Sequence, residues 1–260
     1  MINKNFLKEK LEKSQPVIGT WSIIPSVETF DIIASTALDF IIIDSEHGPI
    51  NFETAQKLII TCESRGVSPV MRLGSISEPE ILKALDIGVH CVQIPNIKNA
   101  DQVKEIIKLS KYPPLGERGF SPFTRSGGYS LDNAKTLTER ANLNTMIAIN
   151  IEGENAIKNI DEILAINELD IVFIGLFDLS KSLGIPGDVS NPKVMNLLEM
   201  LVNKINSAGK YAGTITTHED EIDKYIKLGL KYIVHLVDCE MLRSSYKKIR
   251  ETFDNCIKNG

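Results

Sequence analysis

FIIIDSEHGPINFETAQKLIITCESRGVSPVMRL, residues 40–73, reads as one complete β–α–β unit. FIIID, from Phe40, is a short apolar run of the kind expected of a parallel strand buried on both faces. NFETAQKLIITCESRG then carries apolar residues at helical spacing and closes on Gly66, consistent with a helix C-cap. SPVMRL, from Ser68, is again a strand. The alternation continues in both directions: VIGTWS from Val17 lies upstream, and HCVQIP from His90, MIAINIE from Met146, DIVFIG from Asp170, YAGTIT from Tyr211 and YIVHLVD from Tyr232 lie downstream. Helix-period segments such as EPEILKALDIG stand between them, and Gly88, Gly209 and Gly229 close others. Eight strand–helix units in 260 residues match the count and size of an α/β (β/α)₈ TIM barrel, expected to span residues 1–260 as a single domain. A doubly wound sheet is the alternative, but it usually has fewer strands.

Composition narrows the function. With 43% hydrophobic and 24% charged residues, the chain has an ordinary globular make-up. Its formal net charge of −5, with no basic stripe, argues against nucleic acid as a partner. The 4 cysteines, Cys62, Cys91, Cys239 and Cys256, have no metal-ligand spacing and read as free thiols of a reducing compartment. The N-terminal MINKNFLKEKLEK lacks an apolar core and reads as an amphipathic helix, not a signal peptide. No apolar run is long enough for a membrane span. The expectation is a cytoplasmic protein with no membrane partner.

In such a barrel, reacting groups come from the C-terminal ends of strands and the loops after them. Here those ends supply Asp44-Ser45-Glu46-His47, Arg72, Gln93, Asn150 and Glu152, Gly175 to Asp178, Thr214 to Thr217, and Asp238. Asn150 and Glu152, two apart, share one strand face. Glu152 and Asp178 on adjacent strands would repel unless a cation sits between them. A hard divalent cation fits: Mg²⁺ or Mn²⁺, with Co²⁺ as a softer substitute. His47 lies beside Asp44 and Glu46, either of which would orient an imidazole acting as general base. Arg72, flanked by Met71 and Leu73, needs an anionic partner, be it a metal carboxylate, a substrate oxyanion or a structural ion pair. Trp21 serves as pocket wall or core, and His90, His218 and His235 read as core or loop residues. The irregular stretch KYPPLGERGFSPFTRSGGYS, Lys111 to Ser130, is read as following the fourth strand. Long loops of this kind are usually functional or mobile, and Arg118 and Arg125 within it are candidates to hold an anionic substrate tail, with solvation the equal alternative.

GTWS, DSEHGP, VMRL, the IE of INIEGENA and FIGLFDLSKSLG, in order from Gly19 to Asp238, resemble the HpcH/HpaI family of class II, metal-dependent 2-oxo-acid aldolases. The resemblance implies a (β/α)₈ barrel that cleaves a 4-hydroxy-2-oxo acid to pyruvate and an aldehyde. It also implies a hexamer, a trimer of dimers with exchanged terminal helices. Residue by residue, it implies Glu152 and Asp178 as metal ligands, His47 as general acid/base and Arg72 as the enolate-stabilising residue. Asp86 would be the acid that raises the basicity of His47; it precedes the fourth strand and would reach a His47 only across a subunit boundary. The chain departs from the family in having Asn150 where Gln contacts substrate. It also has Gly175-Leu176-Phe177-Asp178 for Gly-Pro-Ala-Asp, where the backbone N–H at Phe177 would bind the pyruvate carboxylate.

Three readings follow from these residues. The first is the pyruvate aldolase. The second is a condensing enzyme of the same family that joins a 2-oxo acid to a carboxylated or thioester partner, with Arg118 and Arg125 holding the extra carboxylates. The third, of another class, is a non-catalytic barrel that binds metal and 2-oxo acid, for which the general base would be superfluous.

Overall fold

A computed structural model describes residues 4–259; Met1 to Asn3 of the N-terminal segment, and Gly260, lie outside them. Eight strands, β1 (Val17–Ser22), β2 (Phe40–Asp44), β3 (Ser68–Arg72), β4 (Cys91–Ile94), β5 (Met146–Ile151), β6 (Ile171–Ile174), β7 (Tyr211–Thr216) and β8 (Tyr232–Val237), match the expected runs to within 1 residue at each end. They are hydrogen-bonded in sequence order into a closed barrel. Every pairing is parallel, and β8 returns to β1 through the register pairs Val17 with Tyr232 and Ile18 with Ile233.

Because alternate residues of a strand point to opposite faces, each apolar run serves two cores. Ile41 and Ile43 of β2 face outward and pack with Leu58, Ile59 and Cys62 of the helix Phe52–Ser64. Phe40, Ile42, Val70, Met146, Ala148 and Tyr232 fill the barrel interior. Phe40 and Tyr232 stack there with centroids 4.2 Å apart. Gly19 makes this possible, since a Cβ at that position would overlap the Phe40 ring and carbonyl.

The expected N-terminal helix is present as Phe6–Glu12. It closes the bottom of the barrel with Leu7 and Leu11, which belong to the interior cluster. The Leu7 N–H donates to Ser68 Oγ at 2.9 Å, and the Asn5 amide donates to the His90 carbonyl at 2.9 Å. His90 is buried, with Nδ1 3.1 Å from Ser68 Oγ and Nε2 3.3 Å from Glu63 Oε1.

The placement of the long loop corrects the sequence reading. After β4 the chain leaves the upper rim, and the helix Ala100–Ser110 carries it back down. Residues 111–130 therefore start at the lower end of the barrel. Lys111 is buried there, donating to the Asn142 and Thr145 carbonyls at 3.0 and 2.7 Å. Arg118 pairs with Asp86 at 2.8 Å and stacks on Tyr112. Arg125 pairs with Glu63 and donates to the Ile87 carbonyl. Neither arginine faces the upper mouth within the chain. Among the described residues, no helix is long and apolar enough to cross a membrane.

Candidate active site

Asp44 and Arg72 are register partners on β2 and β3, so their side chains emerge side by side into the barrel mouth. Arg72 Nε and Nη2 donate to Asp44 Oδ1 and Oδ2 at 2.9 and 2.5 Å. Its Nη1 lies 3.1 Å from Glu46 Oε2, and its guanidinium covers the Trp21 ring at 4.1 Å. A planar fork held by two carboxylates and an aromatic face has little freedom left. Trp21 meets Phe173 edge-on at 5.7 Å, so it is both core and wall.

A second polar chain runs up through the interior. Tyr232 Oη donates to Gln93 Oε1 at 3.2 Å, Gln93 Nε2 donates to Asn150 Oδ1 at 2.7 Å, and Asn150 Nδ2 donates to Glu152 Oε1 at 3.0 Å. Tyr232, Gln93 and Asn150 are all buried. Burial of polar groups is tolerated when each finds a partner, and the chain ends by presenting Glu152 to the mouth.

One cavity of about 360 Å³ is lined by Trp21, Asp44, His47, Arg72, Asn150, Glu152, Gly175, Phe177 and Asp178. Every candidate residue except Asp86, Arg118 and Arg125 therefore meets in one place. Burial pushes the Glu152 carboxyl above its usual range, against the hydrogen bond from Asn150, and Asp178 and Glu46 push it up further. Burial likewise raises Glu46, with Arg72 pulling the other way. Carboxylates crowded around one guanidinium, in a partly buried mouth, favour an added cation. Their oxygens suit a hard divalent ion. Gly175 makes room for them, since a Cβ there would stand 2.9 Å from Glu152 Cγ. Among the described residues, no group of three or more His, Cys, Asp or Glu forms a ligand set. Two carboxylates leave the other positions to water and a chelating substrate, as an open catalytic site requires.

The contacts expected around His47 and Asn150 are not all made. Asp44, expected to orient His47, is engaged instead with Arg72; it also accepts the backbone N–H groups of Glu46 and His47 at 3.1 and 3.3 Å. The His47 imidazole is 70% exposed, with Nε2 3.9 Å from Glu46 Oε2, beyond hydrogen-bond range. As its place before the fourth strand predicts, Asp86 lies with Arg118 at the far end of the barrel, where burial raises its carboxyl against the pull of Arg118. Within one chain it cannot serve His47. Asn150, read as a substrate contact, lines the cavity but has its amide engaged with Gln93 and Glu152.

Sequence reasoning gave Glu46 a role only toward His47, whereas the structure sets it against Arg72. It gave no role to Gln93 or Tyr232, whose meeting depends on closure of the barrel. It also omitted the apolar wall of Ile23, Leu176, Ile215 and Val237, with Cys239 beside it. Gly175 caps the helix Leu176–Ser182, which leaves the backbone N–H groups of its first turn without intrahelical partners.

In sequence and in fold the chain is similar to known proteins. The sequence profile of the HpcH/HpaI aldolase/citrate lyase family matches residues 18–244. The 2-keto-3-deoxy-L-rhamnonate aldolase of Escherichia coli O157:H7 is 31% identical over 257 residues, 98% of this chain and 95% of that protein. The crystal structure of an HpcH/HpaI aldolase from Desulfitobacterium hafniense DCB-2 superposes with a TM-score of 0.91 at 29% identity, covering 95% of this chain and 96% of that one. The citrate synthase SbnG superposes with a TM-score of 0.86 at 28% identity, covering 99% of both chains.

Proposed function

The chain belongs to the HpcH/HpaI aldolase/citrate lyase family, and from that premise we propose that it is a single-domain, divalent-metal-dependent aldolase, a carbon–carbon lyase that joins a pyruvate-like 2-oxo acid to an aldehyde or cleaves the resulting 4-hydroxy-2-oxo acid. The observation that carries this reading is the convergence of Glu152, Asp178, Arg72 and His47 on one cavity. Glu152 and Asp178 would hold Mg²⁺ or Mn²⁺, with Co²⁺ a further candidate, and the ion supplies Lewis acidity toward the 2-oxo acid.

The chain's own groups account for the rest. Arg72 has N–H donors beyond those engaged by Asp44 and Glu46, and it turns a fixed positive charge toward the oxygen that gains charge as the enolate forms. His47 takes the proton of the C4 hydroxyl as the C3–C4 bond breaks, and returns a proton in the addition direction. The first turn after Gly175 faces the substrate carboxylate. Among the described lining residues none is a lysine, the nucleophile of a Schiff-base aldolase.

The likeness to SbnG keeps the condensing enzyme as the second reading. It needs cations for extra carboxylates, and Arg118 and Arg125 are engaged with Asp86 and Glu63.

The proposal extends to assembly. The helix Asp238–Asn259 exposes Leu242, Tyr246, Ile249, Phe253 and Ile257 along one stripe. An apolar groove of Ile18, Ile32, Ile33 and Leu38 lies beside its base. Both fit a homo-oligomer, a trimer of dimers, whose subunits exchange this helix. Four free cysteines fit a cytoplasmic setting.

The test is exchange of the pyruvate methyl protons in D₂O, followed by NMR with and without Mg²⁺, Mn²⁺ or Co²⁺. Metal-dependent exchange that disappears in Glu152→Ala is expected. No exchange with any of the three metals would overturn the aldolase reading in favour of the condensing enzyme or the non-catalytic binder.

A further inference from the structure

We propose that the cavity selects an acceptor aldehyde with an uncharged, apolar chain, and that Phe177 is a specificity-determining residue for it. The inference rests on the aldolase reading above.

The lining of the cavity combines two kinds of side chain. One kind is polar, namely Asp44, His47, Arg72, Asn150, Glu152 and Asp178; the other is hydrocarbon, namely Ile23, Leu176, Phe177, Ile215 and Val237. The polar groups are engaged by the chemistry of the 2-oxo acid and the C4 hydroxyl, which leaves the hydrocarbon groups for the acceptor's substituent. Phe177 is 47% exposed. It stands in the first turn of its helix, next to Asp178, so its ring belongs to the mouth and not to the core.

Charge argues in the same direction. Among the described lining residues, Asp44, Glu152 and Asp178 are carboxylates and Arg72 is the one guanidinium. Arg72 is already flanked by Asp44 and Glu46. A second carboxylate, carried by the acceptor, would enter a negative field without a partner. The two long-loop arginines cannot supply one within the chain, since each is paired at the lower end of the barrel. A hydroxyl-rich chain fares poorly for another reason. The hydrocarbon side chains offer it no donor or acceptor, so hydroxyls set against them would lose water without replacement.

The experiment is a kcat/KM series for wild-type enzyme adding pyruvate to straight-chain aldehydes from acetaldehyde to hexanal. A length-matched aldehyde ending in a carboxylate and a polyhydroxylated aldehyde complete the series. Pyruvate proton exchange is measured on the same preparation. Exchange should be present, kcat/KM should rise about fourfold per methylene until the wall is covered, and the carboxylated aldehyde should be about 100-fold poorer than its apolar counterpart. Phe177→Ala should flatten the chain-length gradient, and Phe177→Leu should retain most of it. Exchange accompanied by equal or better use of the carboxylated or polyhydroxylated aldehyde would overturn the inference and leave the pyruvate reading standing. A gradient unchanged in Phe177→Ala would remove Phe177 from the role. No exchange would overturn the aldolase reading and this inference with it.

Discussion

Asn150 Nδ2 donates to Glu152 Oε1 across 3.0 Å, so the carboxylate assigned to the metal is aimed by its neighbour two residues back on the same strand face. The other end of the same amide accepts from Gln93. Asn150 is thereby fixed from below and acts on the mouth through Glu152.

Replacing Asn150 with Leu should weaken divalent-metal affinity about 10–100-fold, the usual effect of losing a group that orients a ligand. Gln93→Leu, one step deeper, should show a smaller loss in the same direction. Isothermal titration with Mn²⁺ reads both. If metal affinity is unchanged and only the KM for the 2-oxo acid moves, Asn150 is a substrate contact instead.

Arg72→Lys keeps the charge but loses the two-pronged contact with Asp44 and the Trp21 stack. We expect kcat to fall about 10²–10³-fold, the scale of losing a group preset for developing charge, with near-normal metal affinity. Asp44→Ala should resemble it and also lower Tm, because the N–H groups of Glu46 and His47 lose their acceptor. Equal kcat in wild type and Arg72→Lys would show that charge alone suffices.

The carboxyl of Glu152 is raised by burial, and the sign of its effect on stability follows. A carboxyl with a higher pKa in the folded than in the unfolded chain helps folding below the unfolded value. That help is lost as pH rises through the folded value. At neutral pH Glu152 therefore opposes folding of the metal-free protein. Glu152→Gln should raise the metal-free Tm at pH 7 by about 2–4 °C, what ~1 kcal/mol yields in a chain of this size. The gain should shrink as pH falls through the carboxylate range. Thermal melts from pH 4 to 8 in chelator decide this, and a gain that grows toward acid pH would reverse the argument.

Exposed Tyr246 and Phe253 lie on one stripe of the C-terminal helix. The double variant Tyr246→Glu with Phe253→Glu should shift the mass seen by light scattering toward the monomer. If His47 needs an acid from a neighbouring subunit, activity should fall alongside the mass. A wild-type protein that is monomeric at micromolar concentration would remove the exchange proposal.

Much of the fold was legible because its signal is local. Phe40 to Asp44 reads as a buried strand from five consecutive letters, and the same holds for the seven other runs. Candidate residues such as Trp21, Arg72, Glu152 and Asp178 were found by asking what stands at the ends of those runs. Arg118 and Arg125 were misplaced for a specific reason. Whether residues 111–130 sit at the top or the bottom depends on the helix Ala100–Ser110, which reverses the chain before they begin. Asp44 was given the wrong partner because proximity to His47 in sequence counted for more than its register with Arg72.

The amino-acid order alone settled the strand and helix periods and the parallel α/β class. It also placed ionisable groups at the strand ends, since each of these depends on residues within a few positions of one another. Which groups touch was decided by closure of the barrel. Gln93 meets Tyr232 across 139 positions and Ser22 meets Asp238 across 216, because a closed cylinder sets β4 and β8 across one interior and brings its first and last strands together. Alternation says that a side chain points inward; only the register of all eight strands says what it finds there.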